Sequence, residues 1–371
     1  MIKKNRINFI NPVISSNKTL AYLKKILKNN LPNEGLVTRS FENKISKLLN
    51  VKYVIATTSG TVAIFLALKA LKIKKGDEVL IPNITFAATV NAVDLVGAKP
   101  VLVDINKETL LLDLDNLKKK ITKKTKAIIP VHISGRGSNI GELIKISKKF
   151  NLKIVEDAAE AFLSKFKNKS LGTFGEMGCF SFSPPKMFTT GQGGVVITNN
   201  FRYYKEVLKL KNQGRVGLTT GGEDKHVSIG YNFKFTNLQS ALGLAELENI
   251  NWRVKKLVEI HKLYKKNIIQ NNKFKLFNFN LNEGELPLWT DVYSHDRNKL
   301  YNFLLNKGIE CRYFWHPLNY CKPYKKSFKG LPNSKKLMGK LMWLPSSLSL
   351  NKKDVLKICK YINQYYSTNH E

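Results

Sequence analysis

The segment Gly178-Cys-Phe-Ser-Phe-Ser-Pro-Pro-Lys186-Met-Phe-Thr-Thr-Gly-Gln-Gly-Gly194 places one lysine between an apolar run and a glycine-rich turn. A lone lysine is ordinarily a surface residue. Here the run Cys179 to Ser183 reads as a buried strand, Pro184 and Pro185 stiffen its exit, and the glycines allow backbone to approach a ligand. Partial removal from water favours the neutral, nucleophilic amine, so Lys186 is a candidate for Schiff-base chemistry.

Two segments upstream add to this. Ser59-Gly60-Thr61 follows an apolar run and opens a helical pattern. Backbone N–H groups at a helix start, two hydroxyls and a glycine make a phosphate cradle, although the same residues suit a plain N-cap. Glu156-Asp157-Ala158-Ala159-Glu160 lies at the carboxyl end of another apolar run, where open α/β sheets bind ligands. Asp157 there suits a pyridinium nitrogen, and the small residues after it leave room; a helix-capping aspartate is the alternative. Cradle, carboxylate and lysine occur in the order expected of a pyridoxal 5′-phosphate (PLP) site, in which a buried carboxylate keeps the ring nitrogen protonated.

Around these segments the chain alternates short apolar runs with helical patterns. The runs are Lys52 to Thr57, Glu78 to Pro82, Pro100 to Ile105, Ala127 to His132, Lys153 to Asp157, Cys179 to Ser183 and Val195 to Thr198. Consecutive apolar residues rich in Val and Ile mark strands buried on both faces. With helical patterns such as Thr61 to Leu71 and Gly141 to Phe150 between them, they predict an α/β fold whose mostly parallel seven-stranded sheet is flanked by helices. The last two runs, joined by a Pro- and Gly-rich stretch, need not follow the same crossover rule. Thr236-Asn-Leu-Gln239 fits a capping box, and a long helical pattern runs through Trp252 to Gln270. Strands are then expected at Phe274 to Leu281, Leu288 to Ser294 and Ile309 to Phe314, with helices at Arg297 to Lys307, Ser334 to Leu341 and Lys352 to Tyr365. The expected division is a large domain over residues 1–250 and a smaller α+β domain over 251–371.

With these motifs in view, the chain resembles the DegT–StrS family of PLP-dependent sugar aminotransferases, which have fold type I architecture. The resemblance runs from Thr57-Thr-Ser-Gly-Thr61 through Pro82-Asn-Ile-Thr-Phe-Ala-Ala-Thr-Val-Asn-Ala92, His132-Ile-Ser-Gly135 and Val155-Glu-Asp-Ala-Ala-Glu160. It continues through Gly172 to Phe182, the Lys186 segment, Gly230-Tyr-Asn-Phe233, Gly308-Ile-Glu-Cys-Arg312, His316-Pro-Leu318 and Leu344-Pro-Ser346. The resemblance implies that Lys186 forms the Schiff base and shuttles the proton, and that Asp157 pairs with the pyridine nitrogen. It places Phe86 on the cofactor ring and Ser59, Gly60, Thr61 and Ser181 around the phosphate, with Asn232 reaching that phosphate from the partner subunit of a homodimer with shared active sites. Glu160 stands beside the cofactor's phenolic oxygen, where Gln or His is common. Lys234 stands where Arg is usual, and Asn319 where His is usual. These departures bear on substrate contacts. The implied reaction is ping-pong: L-glutamate converts PLP to its pyridoxamine form, which then aminates a nucleotide-linked keto-deoxysugar. A 4-keto-6-deoxyhexose is the expected acceptor, perosamine-synthase-like, feeding O-antigen or other surface glycans.

Composition sets bounds on partners. The chain has 371 residues and a formal net charge of +35, but only eight of its 62 basic residues are arginine. Arginine is the bidentate reader of bases and phosphates, and the lysines recur on most polar helical faces rather than in one arm. Together with abundant Asn and Ile this looks like A/T-rich coding, and no nucleic-acid partner is expected. Cys179, Cys311, Cys321 and Cys359 form no C-x-x-C pair and no metal cluster. The N-terminus lacks a signal-peptide apolar core, and no run is long enough to span a bilayer. A cytoplasmic enzyme without membrane partner is therefore expected. The competing readings are a dehydratase of the same family, which would lack the lysine, and a regulatory or nucleic-acid-binding protein using its basic surface.

Overall fold

The computed structural model describes residues 6–137, 139–215, 225–325 and 328–368. Its main sheet takes strands β1 (Tyr53–Thr57), β2 (Glu78–Pro82), β3 (Lys99–Val103), β4 (Thr125–Ile128) and β5 (Lys153–Asp157). After a short hairpin, β6 (Lys165–Phe166) with β7 (Lys169–Ser170), come β8 (Met177–Ser181) and β9 (Gly194–Thr198). The order across the main sheet is β1-β9-β8-β5-β4-β2-β3. Every neighbouring pair is parallel except those of β9, which runs antiparallel to both β1 and β8. All five residues of β2 are buried, as a strand covered on both faces requires. The helix Gly60–Ala70 is also buried almost all round, because it is covered by the sheet and by its helical neighbours.

The four-stranded sheet consists of β10 (Phe274–Leu276), β11 (Thr290–Ser294), β12 (Arg312–Tyr313) and β13 (Leu341–Leu344), antiparallel in the order β10-β11-β13-β12. Helices Ile250–Asn267, Arg297–Asn306 and Lys352–Thr368 pack beside it. The start of the chain joins this sheet's side of the molecule: Ile7 N–H donates to Gly308 O at 2.8 Å, and Glu310 N–H donates to Ile7 O at 2.9 Å.

Several expected elements are corrected. The pattern through Trp252 to Gln270 is the later part of a helical stretch that breaks in two, Asn237–Leu247 and Ile250–Asn267, at Glu248 and Asn249. The Thr236–Gln239 capping box opens the first of them. The run Ala127 to His132 is a ladder strand only to Ile128; Pro130 has no N–H to donate, and the chain turns at Ser134, φ 55°. The helix expected over Ser334 to Leu341 ends at Leu337, and Leu341 instead begins β13.

Because β9 opposes both β1 and β8, the carboxyl ends of β1, β8, β5, β4 and β2 all open on one edge. That edge is stitched together by Glu156, a fully buried carboxylate on β5. It accepts backbone N–H bonds from Gly172 at 2.7 Å, Phe174 at 2.6 Å and Gly175 at 2.7 Å, and bonds His132 Nε2 at 2.8 Å. Those donors bind the turn before β8 and the loop after β4 to β5. Glu156→Ala strands all four groups, so a loss of about 3–5 kcal/mol is expected. A urea midpoint close to that of the parent protein would show that water can replace this carboxylate.

Candidate active site

The segment after β1 is held by its own cap. Ser59 Oγ accepts the Val62 N–H at 3.2 Å, so the plain N-cap is real. It leaves Gly60 and Thr61, whose N–H groups have no hydrogen-bond acceptor among the described residues, at the open end of the helix. Ser181 and Ser183, with hydroxyls 3.4 Å apart, approach from β8. A Cβ on Gly60 would lie 2.8 Å from Ser181 Cβ, and one on Gly194 would lie 2.6 Å from the Ser59 backbone. Both glycines are therefore what allows β8 and β9 to close on the helix start, and the result is an anion cradle.

Asp157, 5% exposed, ends β5. Its Oδ2 accepts from Thr89 Oγ1 at 2.7 Å and its Oδ1 from Ala159 N–H at 3.2 Å. No helix begins after it, so the helix-cap alternative fails. Burial pushes its carboxyl above the usual range; the bonds from Thr89 and Ala159 and the charge of Lys186 oppose that shift. A cation beside Asp157 would restore its charge.

Lys186 sits on a loop closed at its base by Phe182. Phe182 N–H donates to Gly193 O at 2.9 Å, and its carbonyl accepts from Thr190 N–H and Thr189 Oγ1, both at 3.0 Å. Its ring stacks on Phe188 with centroids 4.5 Å apart, and Phe162 meets both edge-on. An aromatic floor thus holds the lysine loop. The Lys186 side chain is 15% exposed, and Nζ lies 3.1 Å from Glu160 Oε1. Glu160 is itself fixed, by Trp289 Nε1 on Oε1 and Ser134 N–H on Oε2, each at 3.0 Å.

Eight of the nine residues singled out from sequence, Ser59, Gly60, Thr61, Phe86, Asp157, Glu160, Ser181 and Lys186, line one cavity of about 310 Å³. Asn232 does not; it is exposed on the segment before Thr236. Sequence reasoning did not single out Trp289, Trp315 and Trp343, which form an aromatic wall with Phe86 and Phe9, nor Arg312, quoted only within a motif. Of the departures, Asn319 is buried; its Oδ1 accepts from Asn83 Nδ2 at 2.8 Å, and its N–H donates to Asn83 Oδ1 at 3.1 Å. It braces the loop that carries Phe86 and stays out of the cavity.

An amine, a buried carboxylate and an anion cradle converge here at the strand ends of a mostly parallel sheet. This donor set fits PLP: aldehyde to Lys186, ring nitrogen to Asp157, phosphate to the cradle. Fold and site define a PLP enzyme of fold type I. Residues 14–363 match the DegT/DnrJ/EryC1/StrS aminotransferase family. The GDP-perosamine synthase of Escherichia coli O157:H7 is 38% identical over 340 residues, 91% of this chain and 92% of that protein. That of Vibrio cholerae is 34% identical over 335 residues, 88% and 90% of the two chains. The solved structure of a DegT DnrJ EryC1 StrS aminotransferase from Brucella abortus superposes with a TM-score of 0.88 at 27% identity, covering 94% of this chain and 95% of that one. The chain belongs to the DegT/DnrJ/EryC1/StrS family, and with it to the PLP-dependent sugar transaminases.

The cradle yields a direct test. Gly60→Ala forces its new methyl against Ser181, an overpacking cost of about 1–3 kcal/mol. PLP should dissociate about tenfold more readily or worse, read by dialysis against limiting cofactor. Unchanged retention would mean that the phosphate does not use this turn.

Proposed function

We propose that this enzyme moves the amino group of L-glutamate to the keto carbon of a GDP-linked 4-keto-6-deoxyhexose, as in perosamine formation, for surface-glycan assembly. The similarity to two GDP-perosamine synthases over about nine-tenths of the chain carries the substrate reading. The presence of Lys186 in the cavity argues against the dehydratase alternative.

When bound, PLP supplies an electron sink and an aldehyde that carries the amino group between substrates. The chain's own groups do the rest. Lys186 Nζ holds the aldehyde and, once freed, moves the proton between the two exchanging carbons. Asp157 keeps the ring nitrogen cationic, Thr89 and Ala159 orienting its carboxylate. The Gly60 and Thr61 N–H groups, with the Ser59 and Ser181 hydroxyls, bind the phosphate, and Phe86 covers the ring. The aromatic wall excludes water and offers apolar faces to the hexose. No helix among the described residues is long and apolar enough to cross a membrane, and Cys179, Cys311, Cys321 and Cys359 are all unpaired; both suit the cytoplasm.

The proposed assembly is a homodimer in which Asn232 completes the partner's phosphate site. Lys211 ties the relevant segments together: Nζ donates to Glu34 at 2.7 Å, and its carbonyl accepts Phe233 N–H at 3.0 Å. Ile229 on one segment is 84% exposed and Leu36, beside the other, is 74% exposed. An isologous partner would cover such apolar surface.

Two measurements test this reading. The pyridoxamine form, offered GDP-, UDP- and dTDP-linked 4-keto-6-deoxyhexoses, should aminate the GDP-sugar fastest by mass spectrometry. Preference for another nucleotide would overturn the substrate assignment. Separately, mixing Lys186→Ala with a strongly impaired Asn232 variant should raise activity above either parent, because mixed dimers contain one site free of both lesions. Activity that stays at the parental average after verified subunit exchange would place Asn232 outside the shared site.

A further inference from the structure

Glu160 is the acidic partner of Lys186 among the described residues, and its surroundings are more elaborate than cofactor binding needs. Oε1 accepts from both Lys186 Nζ at 3.1 Å and Trp289 Nε1 at 3.0 Å, while Oε2 accepts the Ser134 N–H at 3.0 Å. The carboxylate is 7% exposed. An anion this dry persists only with donors on both oxygens and a cation beside it, and all are present.

The donors are themselves held in place. Ser134 Oγ donates to Asp291 Oδ1 at 2.8 Å, and Asp291 also receives Trp343 Nε1 and the Arg136 guanidinium. Arg136 stacks 3.9 Å from the Phe279 ring centroid. Other ionisable groups near the pair are Asp157 at the end of β5 and Asp291 on β11 with its Arg136. Arg312, on β12, lines the same cavity. None of them bonds Lys186 Nζ or either Glu160 oxygen among the described residues. Glu160 is thus the carboxylate in hydrogen-bonded contact with that amine.

We propose, building on the function above, that Glu160 is a positioning residue for proton transfer: its charge stabilises the ammonium form of Lys186, with Trp289 and Ser134 fixing the carboxylate for that task. During amino transfer Nζ takes a proton from one carbon and returns the same proton to another, and in between it is a cation. A fixed anion at 3.1 Å attracts the cation that forms in the first step and holds the proton there until the second. Glu160 neither accepts nor donates that proton itself. A neutral Gln or His at this position would lack this effect.

The test uses the PLP-loaded protein and Glu160→Gln, which keeps the shape and removes the charge. The yellow absorbance of the lysine-linked cofactor is followed against pH, and the rate of the single half-reaction with glutamate is measured in parallel. The neutral amide disfavours the protonated nitrogen. The absorbance midpoint should therefore fall by about one pH unit, a tenfold change in the proton equilibrium, and the half-reaction should slow about tenfold. An unmoved midpoint overturns the proposal. If Glu160→Gln does not fold, Trp289→Phe serves instead. With one donor fewer the carboxylate attracts the proton on Nζ more strongly, so the midpoint should rise, and no movement again overturns the idea. Borohydride reduction separates this from the underlying reading: a pyridoxyl adduct on Lys186 with an unmoved midpoint sinks only the role of Glu160, whereas an adduct on another lysine sinks the site itself.

Discussion

A carboxylate taken out of water must find donors or a cation, and β5 ends in two such groups side by side. Glu156 and Asp157 are adjacent in sequence, so the pleat sends them to opposite faces of the sheet, and each meets its requirement differently. Glu156 is saturated by three backbone N–H groups and His132, which fixes the turn before β8. Among the described residues, Asp157 has only Thr89 and Ala159 on its oxygens, and burial leaves its charge under-compensated. The saturated carboxylate builds the edge, while the under-saturated one keeps bonding capacity toward the cavity. Both follow from the same desolvation cost. A protein that satisfied Asp157 as fully as Glu156 would be more stable locally and would have less use for a pyridinium ring.

What was legible in the sequence follows the range of the signals involved. β2 and β5 have the expected bounds because short apolar runs bounded by turn residues admit one reading. β13 was missed because Leu341-Met-Trp-Leu344 is four apolar residues without alternation, which periodicity cannot distinguish from the end of a helix. The break at Glu248 and Asn249 has no Gly or Pro to announce it. The cavity shows the same contrast. Ser59 to Thr61, Asp157 and Lys186 were legible because each motif is local and each follows a strand. Trp289 and Trp343 come from segments with no local mark of chemistry, and Ser134 was quoted only within a motif; their joint use depends on the four-stranded sheet reaching the main sheet's edge. Nothing in the sequence sets Lys211 apart from the other lysines. In the structure it is buried, with Nζ bonded to Glu34 and to the Ala56 carbonyl.

Part of the basic charge is accounted for within the fold itself. Lysines close the last turns of the helices Leu114–Lys120, Ile140–Lys149 and Ile250–Asn267, where a cation faces the negative end of the helix dipole. Others form exposed pairs, such as Lys118 with Asp115, of the kind that contributes little. The cavity is different. Its acidic groups, Asp157 and Glu160, share a small aromatic volume with Lys186 and Arg312.

The aromatic wall and the acid–base machinery are not independent parts. Trp289 donates to Glu160 and Trp343 donates to Asp291, while Ser134 bonds both acids, through its N–H and its hydroxyl respectively. The two indoles that shape the cavity are therefore oriented by two buried carboxylates, Glu160, which holds Lys186 Nζ, and Asp291, which is joined to it through Ser134. A large displacement of either ring would break its N–H bond to a buried anion, a cost of about 1.5–3 kcal/mol for a hydrogen bond to a charged group. The cavity consequently resists deforming to fit a substrate, and selection must come from the substrate's fit to a wall already set. Trp343 lies on β13 and Trp289 immediately precedes β11, while Asp157 ends β5 and Glu160 and Lys186 lie on the loops after β5 and β8. The alignment of the two sheets, held by Ser134 and Arg136 on Asp291, is thus the geometric condition for the aromatic wall and the lysine–carboxylate pair to meet in one cavity.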